Sequence, residues 1–228
     1  MKIAIIKYNA GNLFSVDCAL KRLGVEPIIT HDKETLLSAD KVIFPGVGEA
    51  RTTMDYLKGC GLDQLIKDLK QPVLGICLGM QLLCRHSEEG DVDCLGIFDA
   101  EVKKFQPTHP EDKVPHMGWN TLSHLRSPLF QGLKEEEFVY FVHSFYVPVN
   151  EFTAATTEYI TPFSAALHKD NFYATQFHPA NAYDFHKETT SRKRCTTRTR
   201  WKWPRCLRHT VSVGYTWWTW TERLPNTS

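Results

Sequence analysis

A cysteine set between two glycines, Gly75-Ile76-Cys77-Leu78-Gly79, is the stretch of this 228-residue chain best suited to chemistry. Apolar residues 72–74 lead into it, and the helix formers Met80-Gln81-Leu82-Leu83 follow. That order predicts a tight strand-to-helix turn at Cys77. A nucleophile on such a turn takes a strained conformation, usually with positive φ, and small neighbours two residues away avoid a clash. The turn pushes the thiol above the sheet edge and aims the Leu78 N–H at the same place. Amides at a helix start are unpaired and sit in positive potential, which favours a thiolate. An inert buried cysteine would fit these five residues alone. The flanks and a histidine near position 178 favour covalent catalysis.

A thiol nucleophile needs a base and two donors for an oxyanion. His178 is the candidate base. It follows the apparent strand 172–177 and precedes Pro179, so it should lie at a sheet edge. His143 and His116 are the next candidates. The Leu78 N–H is one oxyanion donor. Pro45-Gly46-Val47-Gly48 offers the other, because glycines let peptide planes turn inward. An ordinary strand-end turn would read the same way.

The elements that must position these groups alternate in type. Residues 2–8 read as a buried strand, followed by turn chemistry at Tyr8-Asn9-Ala10-Gly11-Asn12. Leu13, Val16, Leu20 and Leu23 mark one face of a helix stopped by Gly24. Residues 27–30 form a second strand, Asp32 caps a short helix through Leu37, and 41–44 form a third strand. Helical spacing then links Met54 with Leu57, and Leu62, Leu65, Ile66 and Leu69. Strands alternating with helices predict an α/β fold: a three-layer, mostly parallel open sheet with helices on both faces. Ligands of such sheets bind beyond the carboxyl ends of the strands, where residues 45–48 and Cys77 both fall. The second half is richer in strands, with 97–105, 138–142, 153–157, 163–167 and 172–177 as candidates, and 106–113 as a polar loop.

Length fits one ordinary domain, with or without an appendage. The N-terminal apolar run 3–6 is too short for a signal sequence, and no stretch reaches membrane-spanning length, so a cytoplasmic protein is expected. Seven cysteines at irregular spacing, with no Cys-x-x-Cys, argue against a disulfide framework or a structural zinc site.

Charge and composition change after Pro179. Residues 181–228 hold ten Lys/Arg against three Asp/Glu, whereas residues 1–180 hold 17 against 23. Five of the six tryptophans lie in this tail, and neither a helical nor a strand period is sustained there. Arg and Trp together could serve nucleic acid, but without a periodic apolar face the tail reads as a segment that encodes no fold. The expected domains are therefore 1–180 and a basic Trp/Thr/Arg-rich tail, 181–228. Cys195, Cys206 and His209 match no standard metal spacing.

The order Pro-Gly-Val-Gly, then Gly-Ile-Cys-Leu-Gly-Met-Gln, then Gln-Phe-His-Pro resembles the class I (triad) glutamine amidotransferases. Three further stretches, Tyr8–Leu13, Val114-Pro115-His116-Met117-Gly118-Trp119-Asn120 and Tyr140-Phe141-Val142-His143-Ser144-Phe145-Tyr146, are similar to those of the glutaminase subunits of imidazole glycerol phosphate synthase. The resemblance covers residues 1–179. It implies that the Cys77 thiolate attacks the side-chain amide of glutamine, that His178 shuttles the proton, and that the amides of Leu78 and Val47 hold the oxyanion. It implies that the Val47 peptide reorients before it donates. Gly48, Gln81, Glu89, Ser144 and Phe145 match positions that hold glutamine. Glu89 suits the substrate ammonium on charge grounds, and Glu88 is an equal choice. Ammonia would pass to a cyclase subunit in a heterodimer that serves histidine biosynthesis, and Asn12, Trp119 and Asn120 match stretches facing that partner. No metal or cofactor is implied.

One departure stands out. The family reads His-Pro-Glu, and this chain reads His178-Pro179-Ala180. The missing acid would orient His178 and stabilise its cation. No amphipathic segment follows where the family has a final helix. Pattern, charge and composition change at one point, which fits a reading-frame shift near codon 180. Two rival readings follow: a partner-binding subunit with impaired or lost catalysis, and a class I amidotransferase for another acceptor.

Overall fold

A computed structural model describes residues 1–8 and 13–178. The elements run β1 (Ile3–Ile6), α1 (Leu13–Arg22), β2 (Ile28–Thr30), α2 (Lys33–Leu37), β3 (Lys41–Gly46), α3 (Ala50–Gly59), α4 (Leu62–Asp68), β4 (Val73–Cys77) and α5 (Leu78–Leu82). Then come β5 (Cys84–Ser87), β6 (Val92–Asp93), β7 (Phe98–Lys104), β8 (His116–Thr121), β9 (Phe138–His143), β10 (Phe145–Tyr146), β11 (Thr153–Glu158), β12 (Pro162–Lys169) and β13 (Phe172–Thr175).

The main sheet has seven strands in the order β11-β12-β13-β4-β3-β1-β2. The run β13-β4-β3-β1-β2 is parallel, and β12 and β11 add on antiparallel. Alternation along the central strands divides the core in two. Ala4, Ile6, Val42, Phe44 and Val73 face the side covered by α3, α4, α5 and the β5–β7 layer. Ile3, Ile5, Ile43, Leu74 and Ile76 face the side covered by α1 and by the β8–β9 ribbon. Each central parallel strand therefore serves both faces through alternate residues, as strands buried on two sides must.

The expected doubly covered, mostly parallel sheet is present. Asp32 caps α2 as its sequence position predicts, accepting from the Thr35 N–H at 2.8 Å. The sequence does not announce β8, because its alternation places Met117 and Trp119 outward and Gly118 carries no side chain. Strand β13 stops at Thr175, short of the predicted 177. Asn12, Ala180 and the tail 181–228 lie outside the described residues.

Candidate active site

Cys77 closes β4 at φ 54°, ψ −109°, and Leu78 opens α5 at once. The positive φ that the Gly-x-Cys-x-Gly spacing predicts is therefore present. What permits the turn is close backbone approach. A methyl on Gly79 would overlap the Phe44 carbonyl oxygen, and one on Gly46 would overlap the Gly79 nitrogen. Strand β3 and the start of α5 thus pack backbone to backbone, and the register pairs Gly46 with Cys77. The Pro45–Gly48 turn and the thiol converge at the carboxyl ends of neighbouring strands.

Two donors reach the sulfur. The Leu78 N–H donates to it from the helix start, and Gln176 Nε2 donates across 3.6 Å. Both lower the thiol's pKa, but burial dominates and pushes it up to about 12; the nearby Glu89 carboxylate also raises it. The ligand-free thiol is therefore protonated at neutral pH. Gln176 was not singled out by the sequence reading. Its sequence signal is a Thr175-Gln176 polar pair at the end of a strand-like run, directly before Phe177 and His178, and the structure buries both side chains.

Gln81 is buried beneath the thiol. Its Nε2 donates to the Phe145 carbonyl (3.0 Å) and to Gln176 Oε1 (2.9 Å). Its side-chain amide is thus spent inside the protein, on the residue that contacts Cys77. Phe145 enters this network through its carbonyl, and the carbonyl of half-buried Ser144 accepts from the Phe105 N–H at 3.0 Å.

His178 is tied by its backbone, donating its N–H to the Tyr140 carbonyl at 3.1 Å as a single antiparallel bridge to β9. It lines a shallow cavity with Ser15, Val16, Pro45, Gly46, Val47 and Ile76. Val47 is over a third exposed there. Burial lowers the His178 pKa to about 4, and no acidic group among the described residues raises it. The imidazole is neutral, as a base must be. Among the described residues no hydrogen bond joins it to Cys77.

Tyr8, also missed, donates its hydroxyl to the Pro45 carbonyl, anchoring the turn that bears Val47. Burial and the neighbouring thiol both raise its pKa.

The two glutamates separate clearly. Glu88 is exposed and accepts from the Lys104 N–H (2.6 Å). Half-buried Glu89 accepts from the Ala50 N–H (3.0 Å), just past Gly48 at φ 117°. Burial is the first cause of its raised pKa, opposed by that amide. Glu89 alone lies close enough to perturb the thiol. On the ribbon, Trp119 is exposed and packs edge-on against Tyr140. Asn120 instead turns inward, toward the Glu158 carbonyl and His116.

The profile of the family described as glutamine amidotransferase class-I matches residues 5–194. The chain belongs to that family. Two HisH subunits of imidazole glycerol phosphate synthase are close relatives. That of Bacteroides thetaiotaomicron is 75% identical over 179 residues, covering 78% of this chain and 91% of the relative. That of Escherichia coli K12 is 48% identical over 181 residues, with the same two shares. The fold is also that of a glutamine amidotransferase from Thermotoga maritima, with a TM-score of 0.58 and 16% identity over 98% of this chain and 97% of the other. A glutamine amidotransferase from Methylobacillus flagellatus gives 0.60 and 15% over 100% and 96%. As an amidotransferase the chain brings the Cys77 elbow, the Pro45–Gly48 turn and His178 to neighbouring strand ends of one sheet.

Proposed function

We propose that this chain is the glutamine-hydrolysing subunit of an imidazole glycerol phosphate synthase. The observation that carries the reading is Cys77 at φ 54° on the β4–α5 elbow, with the Leu78 N–H and Gln176 Nε2 both directed at its sulfur. Sγ attacks the side-chain amide carbon of glutamine, and the thiol proton passes to His178. The oxygen, now an anion, is held by the amides of Leu78 and Val47. His178 returns the proton to the leaving nitrogen, and ammonia departs as the C–N bond breaks. Water then attacks the thioester with His178 as base, and glutamate leaves as the thiol is restored. Gly48, Glu89, Ser144 and Phe145 border the space for glutamine, with Glu89 opposite its ammonium. Ammonia goes to the cyclase subunit, which docks on the face bearing Trp119.

The resting groups do not favour the first proton transfer. The thiol is held high and His178 low, and both shifts arise from burial. An acid beside His178 would narrow that gap, and Ala180 supplies none. That supports a second reading, a partner-binding subunit with reduced turnover.

Glutamate release from glutamine tests both, measured with and without the cyclase subunit and its ligand, beside a Cys77→Ala control. Release that depends on the cyclase and vanishes in the control is the expected result. No release from a chain that is folded by circular dichroism would overturn the first reading in favour of the second.

A further inference from the structure

His116 and His143 stand opposite each other in the β8–β9 register, with His116 Nδ1 3.3 Å from His143 Nε2. Both are buried. The reaction as proposed uses neither. Their proton positions follow from the groups at the two ends of the chain of contacts. Asn120 Nδ2 can only donate. One of its protons goes to the Glu158 carbonyl (2.8 Å), and the other points to His116 Nε2 (3.4 Å). His116 therefore carries its proton on Nδ1 and gives it to His143 Nε2. His143 in turn carries its proton on Nδ1 and donates to the Phe145 carbonyl at 2.7 Å.

The Phe145 carbonyl also accepts from Gln81 Nε2. Because that site is an acceptor, Gln81 must present its NH2 group. Its second proton then requires the oxygen of Gln176, which turns the Gln176 NH2 toward Cys77 Sγ. A single set of tautomers and amide orientations satisfies every contact. A protonated His143 would set two N–H groups against each other, and burial keeps both rings neutral, at about 4 for His116 and about 3 for His143. His116 is further locked between the rings of Tyr159, at 4.0 Å, and Phe141, at 4.9 Å, both nearly parallel to it.

We propose that His116 and His143 are positioning residues: by pinning the Phe145 carbonyl they fix the Gln81 amide, and through it the Gln176 amide that donates to Cys77. The role assigned to the thiol rests on the functional reading above. Met117 and Trp119 project outward from the same strand as His116 and Asn120. A protein pressed on that face therefore acts on the first members of a hydrogen-bond chain that ends at the sulfur.

The test is the rate of Cys77 alkylation by iodoacetamide in the full-length chain, followed by mass spectrometry of the Cys77 peptide from pH 7 to 9. His143→Phe keeps a ring and removes both bonds. It should lower the rate about tenfold at every pH, the effect of one lost hydrogen bond to a charged group. His143→Asn places an amide nitrogen near the Nδ1 position, and it should restore the rate to within about threefold of the unaltered chain. A folded His143→Phe protein alkylated at the unaltered rate overturns the proposal, as does equal slowing in both variants. Should His143→Phe fail to fold by circular dichroism, His116→Phe, which keeps both ring stacks, carries the same expectation at about threefold. Alkylation is read without glutamine turnover. An unaltered chain that releases no glutamate therefore counts against the functional reading alone.

Discussion

Gln176 Nε2 donates to Cys77 Sγ at 3.6 Å from a residue 99 positions further along the chain. Replacing Gln176 by Leu keeps the volume, removes that donor and leaves one Gln81 proton unpaired in the core. We expect kcat for glutamate release to fall about tenfold with KM little changed, and stability to drop by about 2 kcal/mol. Steady-state kinetics and urea unfolding check the two parts separately.

Glu88 and Glu89 were indistinguishable in sequence, and their environments now divide them. Glu89→Gln should raise the KM for glutamine about tenfold, because a substrate ammonium would lose its counter-charge. Glu88→Gln should leave KM unchanged, since that exposed side chain lies against the Lys104 amide at the end of β7. Equal effects from both would sink the assignment.

Ala180→Glu would supply the acid that the resemblance to class I amidotransferases implies two residues after His178. Losing the orienting acid of a triad costs up to about four orders of magnitude in turnover. Even partial restoration should therefore raise kcat at least about tenfold. No gain would mean that the residue at position 180 does not reach the His178 imidazole.

Acid should destabilise the protein well before its carboxylates protonate. His116, His143 and His178 are held neutral when folded, with pKa values near 4, 3 and 4, against 6.5 for the unfolded groups. Below pH 6.5 the unfolded chain binds protons that the folded chain excludes, so stability is complete above 6.5 and declines as pH falls toward 4. The carboxylates of Asp32, Asp93 and Asp112 are also held low, by their hydrogen bonds, and because they are charged when folded their contribution is lost only at lower pH. Tm should drop by about 5 °C or more between pH 7.5 and 5.0. A flat profile across that range would contradict the buried neutral histidines.

Gly79→Ala drives a methyl into the Phe44 carbonyl, and backbone on both sides cannot yield. A loss of about 3 kcal/mol or failure to accumulate as soluble protein is expected, read from the urea midpoint. A variant as stable as the unaltered chain would mean that β3 and α5 can separate.

The legible parts of the fold were those with a strong local signal. Alternating apolar runs and caps located β1, α1, β2, α2 and β3, and the glycine spacing located the elbow and its positive φ. Residues that act through distant partners were not legible. Gln176 reads as an ordinary polar residue at the end of a strand-like run until β13 is placed beside β4. Gln81 sits in a motif that matches substrate-holding positions, yet its side chain is turned to Phe145 and Gln176, a direction set by tertiary packing alone. The ribbon strand β8 escaped because its outward residues are large and apolar, against the usual alternation.

The sheet order has a consequence for synthesis. Strand β13, the last in sequence among the described residues, lies inside the sheet, between β4 and β12, and it is followed by the segment that delivers Gln176 and His178. A nascent chain that has emerged only as far as β12 exposes the open edge of β4 and owns a thiol with neither of these companions. Cys77 and His178, the nucleophile and base proposed above, cannot meet until translation has passed residue 178. A message that changes frame immediately afterwards would still encode every strand described in the sheet. Its damage would fall on what lies beyond, beginning at position 180.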